Sequence, residues 1–141
     1  MVIFLAVVAG LLLFTLSGLH FYWAFGGSWG FDEALPTDEQ GKRVLNPGKL
    51  DSTVVGLALL VFAIYYAIIA LSIPAILPDR VVKYGGWVIS LLFLLRAVGD
   101  FKYIGFFKKV RSTDFAQKDS YYFSPLCLVI GVTGIVLEWI I

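Results

Sequence analysis

Residues 2–25 read VIFLAVVAGLLLFTLSGLHFYWAF, with no Asp, Glu, Lys or Arg among them. A bilayer core about 30 Å thick is crossed by about 20 apolar residues of helix, so Val2 to Phe25 is long enough to span. A secretory leader would open on basic residues, carry a shorter apolar run and close on a small-x-small cleavage site. This stretch does none of these, and a retained helix is expected. Ser52 to Pro78 is also uncharged, and Val54 to Ile73 is its densest part. Tyr121 to Ile141 holds one charge, Glu138. In the third apolar run, Tyr84 to Leu95, the charges Arg96, Asp100 and Lys102 follow at once. A helix from about Val81 to Tyr103 therefore carries charge within it or near its end. The expected spans are residues 2–25, 53–77, 81–103 and 121–141 of one transmembrane domain, 1–141. They are too long and too uniformly apolar for barrel strands, and backbone groups in lipid must be satisfied internally. The fold class is all-α: a polytopic integral membrane protein built as a four-transmembrane-helix bundle.

Composition agrees. Hydrophobic residues make up 60% of the chain and charged residues 15%, against about 25% charged in soluble domains. Mean hydropathy is +0.88. A net charge of +1 supplies no basic field for nucleic acid, so no nucleic-acid partner is expected. Cys127 is the sole cysteine, His20 the sole histidine and Met1 the sole methionine. An internal disulfide and a zinc cluster are thereby excluded, a bis-histidine or His/Met haem within one subunit is not expected, and neither metal nor cofactor is expected. Within the apolar run Leu126 to Ile130, Cys127 reads as a small buried hydrophobe.

Span ends carry local signals. Asp51-Ser52 can cap the second helix, and Pro74 and Pro78 close it. Trp23, Trp87, Trp139 and Tyr121-Tyr122 fall near span ends, as interfacial aromatics do. The loops differ in length: about Gly26 to Asp51, a tight hairpin at Asp79 to Lys83, and about Ile104 to Ser120. Four spans put the first and third loops on one side of the membrane. That side carries Lys42, Arg43, Lys49, Lys102, Lys108, Lys109, Arg111 and Lys118, against Arg80 and Lys83 on the other. By the positive-inside rule the two long loops face the cytoplasm and both termini face out.

The polar residues inside the spans gather at one depth. At about 1.5 Å of rise per residue, His20 lies roughly 27 Å along the first span, and Arg96 and Asp100 about 18 and 24 Å along the third. All three fall in the cytoplasmic half. Arg96 and Asp100 are four residues apart, share a helix face and can pair there. An unpaired charge at mid-helix costs about 2.5–3.5 kcal/mol. Such a pair either anchors the helix at the headgroups, with Lys102 snorkelling beside it, or belongs to a functional pocket. The run His20 to Phe31 packs aromatics and three glycines at a span exit, which suits either an aromatic belt or a stacked aromatic wall. In the third loop Phe106, Phe107, Val110 and Phe115 interleave with Lys108, Lys109 and Arg111, a mix that suits the surface of an anionic leaflet. No nucleotide fingerprint is present. His20 and Asp100 could act as an acid–base pair only if the first and third helices touch. Whether the chain is an enzyme stays open.

His20 to Gly27, Arg96-Ala97-Val98-Gly99-Asp100-Phe101, Gly105-Phe106-Phe107-Lys108, Phe115 to Asp119 and Tyr122 to Leu126 together resemble domain-of-unknown-function family 3995 over nearly the whole chain. The resemblance implies a small four-helix protein of a bacterial cell membrane, and implies no activity. From the residues themselves, the expected site is a polar pocket at the cytoplasmic headgroup level, between the first and third helices, that takes an anionic amphiphile or lipid. Arg96 and Lys102 would hold the anion, Asp100 would orient Arg96 or His20, and Trp23 and Trp29 would wall the apolar part. The competing classes are a subunit of a transporter or channel, which four helices support only as a homo-oligomer, and an assembly or accessory protein without a ligand.

Overall fold

A computed structural model describes residues 1–141 as an all-helical chain without strands. Four helices are long and apolar enough to cross a membrane: α1 (Val2–Ala24), α2 (Lys49–Ala70), α3 (Asp79–Val98) and α4 (Asp114–Ile140). The first opens without a side-chain cap, and Asp51 caps the second from inside its first turn, accepting the Gly48 N–H at 2.6 Å. Several ends differ from the sequence-based expectation: α2 opens at Lys49, four residues before 53, and α4 at Asp114, seven before 121, where Thr113 caps it. Helix α2 stops at Ala70 instead of running on to residue 77, because Ser72 turns to φ 58 and Pro74 opens a short 3-10 turn, Pro74–Ile76. The second connection is therefore residues 71–78, and Asp79 to Lys83 is already helix. Helix α3 ends at Val98, short of Tyr103, where Gly99 takes φ 87.

The helices pack as two hairpins, α1 on α2 and α3 on α4, which meet chiefly through α1 and α4. Small residues make this close approach available. Ala6, Ala9, Leu13 and Ser17 form the buried stripe of α1, and Ser52, Gly56, Leu59 and Ala63 that of α2. Between them the Ser17 hydroxyl donates to the Gly56 carbonyl at 2.7 Å. In the second hairpin Gly131 seats Leu94, and Gly134 leaves room for the Ser90 and Tyr66 hydroxyls. The outer faces are lined instead by Phe4, Leu11, Phe14, Val61, Leu91 and Val132, all exposed. A soluble protein would not leave so much continuous apolar surface in water; a bilayer is the solvent that matches it.

Helix α4 is not uniform. Its first turn, Asp114–Lys118, is capped by the Thr113 hydroxyl, which accepts the Ala116 N–H at 3.1 Å. Residues Asp119–Phe123 then form one π-helical turn before Ser124–Ile140 resumes the α-helix. A π-turn inside an α-helix shifts the faces on either side of it and recurs at functional positions. Here it begins at the most deeply buried charge in the molecule.

Candidate functional site

That charge is Asp119, with no exposed surface. Its carboxylate is the centre of a five-member cluster. Oδ1 accepts from Arg96 Nη2 at 2.9 Å. Oδ2 accepts from the Gly105 N–H at 2.8 Å, Lys108 Nζ at 3.1 Å and the Ser124 hydroxyl at 3.1 Å. Lys108 is itself 2% exposed and also donates to the Gly105 carbonyl and the Ser120 hydroxyl, at 2.9 and 2.6 Å. Three segments of the chain thus converge: the last turn of α3, the third loop and the π-turn of α4.

The backbone makes this possible through two glycines. Gly99 and Gly105 have φ of 87 and 89, in the region that L side chains rarely adopt. A Cβ on Gly99 would overlap the Ile104 carbonyl, and one on Gly105 would overlap the Val98 carbonyl. The loop therefore folds back flat onto the end of α3, where the Phe106 N–H donates to the Ala97 carbonyl at 2.8 Å. Asp100 organises the turn between them. Its Oδ1 accepts the N–H groups of Lys102, Tyr103 and Ile104 at 2.9, 2.8 and 3.0 Å. Burial works against the charged form, but these backbone donors outweigh it and hold the Asp100 carboxyl below the usual carboxylate range.

The expected Arg96–Asp100 pair is consequently not formed. Arg96 is paired with Asp119, twenty-three residues on, and Asp100 is spent on the loop backbone. Once α3 ends at Val98, the four-residue spacing no longer describes one helix face. Lys102 is exposed, with its ammonium over the Tyr103 ring, 5.0 Å from the centroid. Lys108, read from the sequence as an interfacial cation, is instead a buried member of the cluster.

Two cations against one carboxylate leave the cluster with a surplus positive charge. Arg96 Nη1 is buried and meets no acceptor. A buried guanidinium amino group without a partner is costly, and the combination favours an anion nearby.

The aromatic half of the expected site forms a separate wall. Trp23 Nε1 donates to the Trp29 carbonyl at 2.8 Å, and the Tyr22 hydroxyl accepts the Trp29 N–H at 3.3 Å. His20 meets Trp23 edge-on, with centroids 5.0 Å apart, and its Nδ1 lies 2.8 Å from the Leu16 carbonyl. Phe31 meets the other side of Trp23 at 5.7 Å. The short turn Asp32–Ala34 packs on the first turn of α4, and Asp32 is ion-paired with Arg43. Between these elements lies a cleft of about 330 Å³, walled by Leu19, Trp23, Trp29 and Phe123, with Glu33 and Lys118 among its lining. So His20, Trp23 and Trp29 gather in one aromatic group, while Arg96 joins the Asp119 cluster and Asp100 and Lys102 lie in the turn after α3. No hydrogen bond or ion pair joins the two groups directly. What connects them is α4 itself, where Lys118 lines the cleft and Asp119 centres the ion cluster. His20 and Asp100 are each committed to local backbone and form no acid–base pair.

Four apolar helices, an apolar outer surface and a charge cluster at the end of the bundle that holds the two long loops define a small polytopic membrane protein. The chain belongs to the DUF3995 family, proteins of unknown function, whose model matches residues 3–133. Comparison with curated proteins and with solved structures gives no match.

Proposed function

We propose that this protein binds an anionic amphiphile, a lipid or lipid-like molecule, at the headgroup level of the membrane face where its two long loops lie. The apolar part of the ligand rests against Trp23, Trp29 and Phe123, and its acidic group is held by Lys118. The observation that carries this reading is the adjacency of Lys118 and Asp119. One lines an aromatic cleft of ligand size, and the next centres a buried cluster with one positive charge in excess. Pockets for small ligands combine apolar walls with a few placed polar groups, and Lys118 and Glu33 provide these here. The face is cytoplasmic in this reading. Setting the buried Lys108 aside, lysine and arginine still favour the long-loop side by seven to two, which supports that orientation.

The test is native mass spectrometry of the chain released from bilayers that contain phosphatidylglycerol and phosphatidylcholine with matched acyl chains. Preferential retention of phosphatidylglycerol, reduced in Lys118→Gln and in Trp23→Leu, is expected. Phosphatidylglycerol retention that is unchanged in both variants would exclude the proposal.

A further inference from the structure

The opposite end of the bundle, which carries both termini, holds a second group of side chains that the site above does not use. Glu138 sits two residues before the end of α4 and forms no ion pair. Its carboxylate lies flat against Gly86, where any Cβ would overlap Oε1. Its hydrogen-bond donor is the Tyr65 hydroxyl at 2.9 Å, and Tyr65 is 5% exposed. Glu138 faces an open pocket of about 600 Å³ lined by Val82, Lys83, Tyr84, Trp87 and Ile141. Trp87 stands beside Trp139, with ring centroids 6.4 Å apart. Lys83 lines the same pocket but does not neutralise Glu138. Its ammonium lies over the Tyr84 ring, 5.2 Å from the centroid.

This is an acid and a base in one aromatic pocket, held apart from each other at the depth where Trp and Tyr mark a membrane interface. An unpaired, half-buried carboxylate beside indole and phenol faces attracts an organic cation, through charge and through the ring quadrupoles. The Lys83 ammonium, which lines the same pocket, attracts an anion. We propose that this pocket binds the headgroup of a zwitterionic phospholipid, with its ammonium at Glu138 and Trp87 and its phosphodiester at Lys83. Glycine at position 86 is part of the device, because it lets the carboxylate lie against the α3 backbone where Tyr65 can hold it. The acyl chains would then run along the exposed apolar faces of α3 and α4, where Val88, Leu91 and Val132 lie.

The experiment uses the full chain carrying Lys118→Gln, which removes the anion contact of the aromatic cleft, in nanodiscs that contain equal phosphatidylethanolamine and phosphatidylglycerol with matched acyl chains. Lipid retained after detergent release is read by native mass spectrometry. Retention should favour phosphatidylethanolamine by about two- to fivefold, the scale of an exposed cation–π contact. Glu138→Gln, which preserves the hydrogen bond from Tyr65, should remove the preference. Trp87→Leu leaves the Tyr65–Glu138 contact intact and should weaken it, which provides a second reading if Glu138→Gln fails to fold. Soluble phosphoethanolamine that displaces the retained lipid would support recognition through the headgroup alone. A Lys118→Gln chain without preference, or a preference that survives undiminished when either Glu138→Gln or Trp87→Leu is added, would overturn the proposal.

Discussion

Replacing Asp119 by Asn keeps the side chain's shape and removes its charge. The structure then leaves Arg96 and Lys108 as two cations with no anion between them, and Lys108 has almost no contact with solvent. One Asn oxygen can still accept at one end, but its amide nitrogen cannot accept from Arg96 or from the Gly105 N–H, Lys108 and Ser124 donors at the other. Breaking a buried ion pair by removal of one partner costs about 3–5 kcal/mol. Arg96 is about one-third exposed, so its share is screened and the lower half of that range applies. We expect Asp119→Asn to lower the unfolding free energy by about 3 kcal/mol, measured by SDS titration of purified protein in mixed micelles. Lys108→Met should cost less, because Arg96 and Asp119 remain a neutral pair. The double variant should recover part of the loss through the coupling between the two positions. A loss below about 1 kcal/mol, the range of an exposed ion pair, would refute the buried cluster, as would an Asp119→Asn no weaker than Asp114→Asn in the exposed first turn of α4.

Three further outcomes follow from the same geometry. Gly99→Ala and Gly105→Ala should each destabilise by more than the roughly 1–2 kcal/mol of the left-handed backbone alone, since each Cβ also meets a carbonyl. Gly18→Ala, in open space within α1, should be neutral or stabilising in the same SDS titration. The depressed Asp100 carboxyl contributes stability that is fully present above its unfolded value, about pH 4. That contribution is lost as pH falls through the lower folded value, so the protection factors of the amides of residues 102–104, taken relative to the intrinsic exchange rate at each pH, should fall on acidification, and in Asp100→Ala they should be low at neutral pH as well. Reporter fusions should place Ile141 outside and the loop near Lys109 inside; a cytoplasmic C-terminus would reverse the orientation.

Much of this architecture was legible because lipid-crossing helices need long uncharged runs, and Val2 to Phe25 and Val54 to Ile73 supply them without ambiguity. The end of α3 was less legible. Its apolar character fades gradually, and hydropathy alone carries the helix on to Tyr103. The Gly99-Asp100 pair held the correct signal: a glycine suited to a positive φ after the last turn, then an aspartate suited to accepting backbone N–H groups from a turn. Asp119 was missed for a different reason. It lies between Lys118 and Ser120 at a helix start, where an acidic residue ordinarily serves the exposed N-terminus. Its burial depends on the third loop folding back over α3, and its pairing with Arg96 spans twenty-three residues with no periodic pattern to announce it. Lys108 was hidden likewise, as one cation among several in a loop that reads as a membrane-surface segment. The aromatic cleft was legible in its Trp23–Trp29 wall but not in Lys118 and Phe123, which stand just before and at the end of the α4 π-turn, a feature without a periodic signal in the sequence.

The most direct measurement of ligand binding in that cleft is tryptophan quenching by brominated lipid. In a Trp87→Phe/Trp139→Phe variant, Trp23 and Trp29 are the only indoles left. Reconstituted at equal bromolipid mole fraction, this variant should be quenched more strongly by brominated phosphatidylglycerol than by brominated phosphatidylcholine, and Lys118→Gln should bring the two curves together. Identical quenching by both lipids, with no response to Lys118→Gln, would contradict an anionic amphiphile site at Trp23 and Trp29.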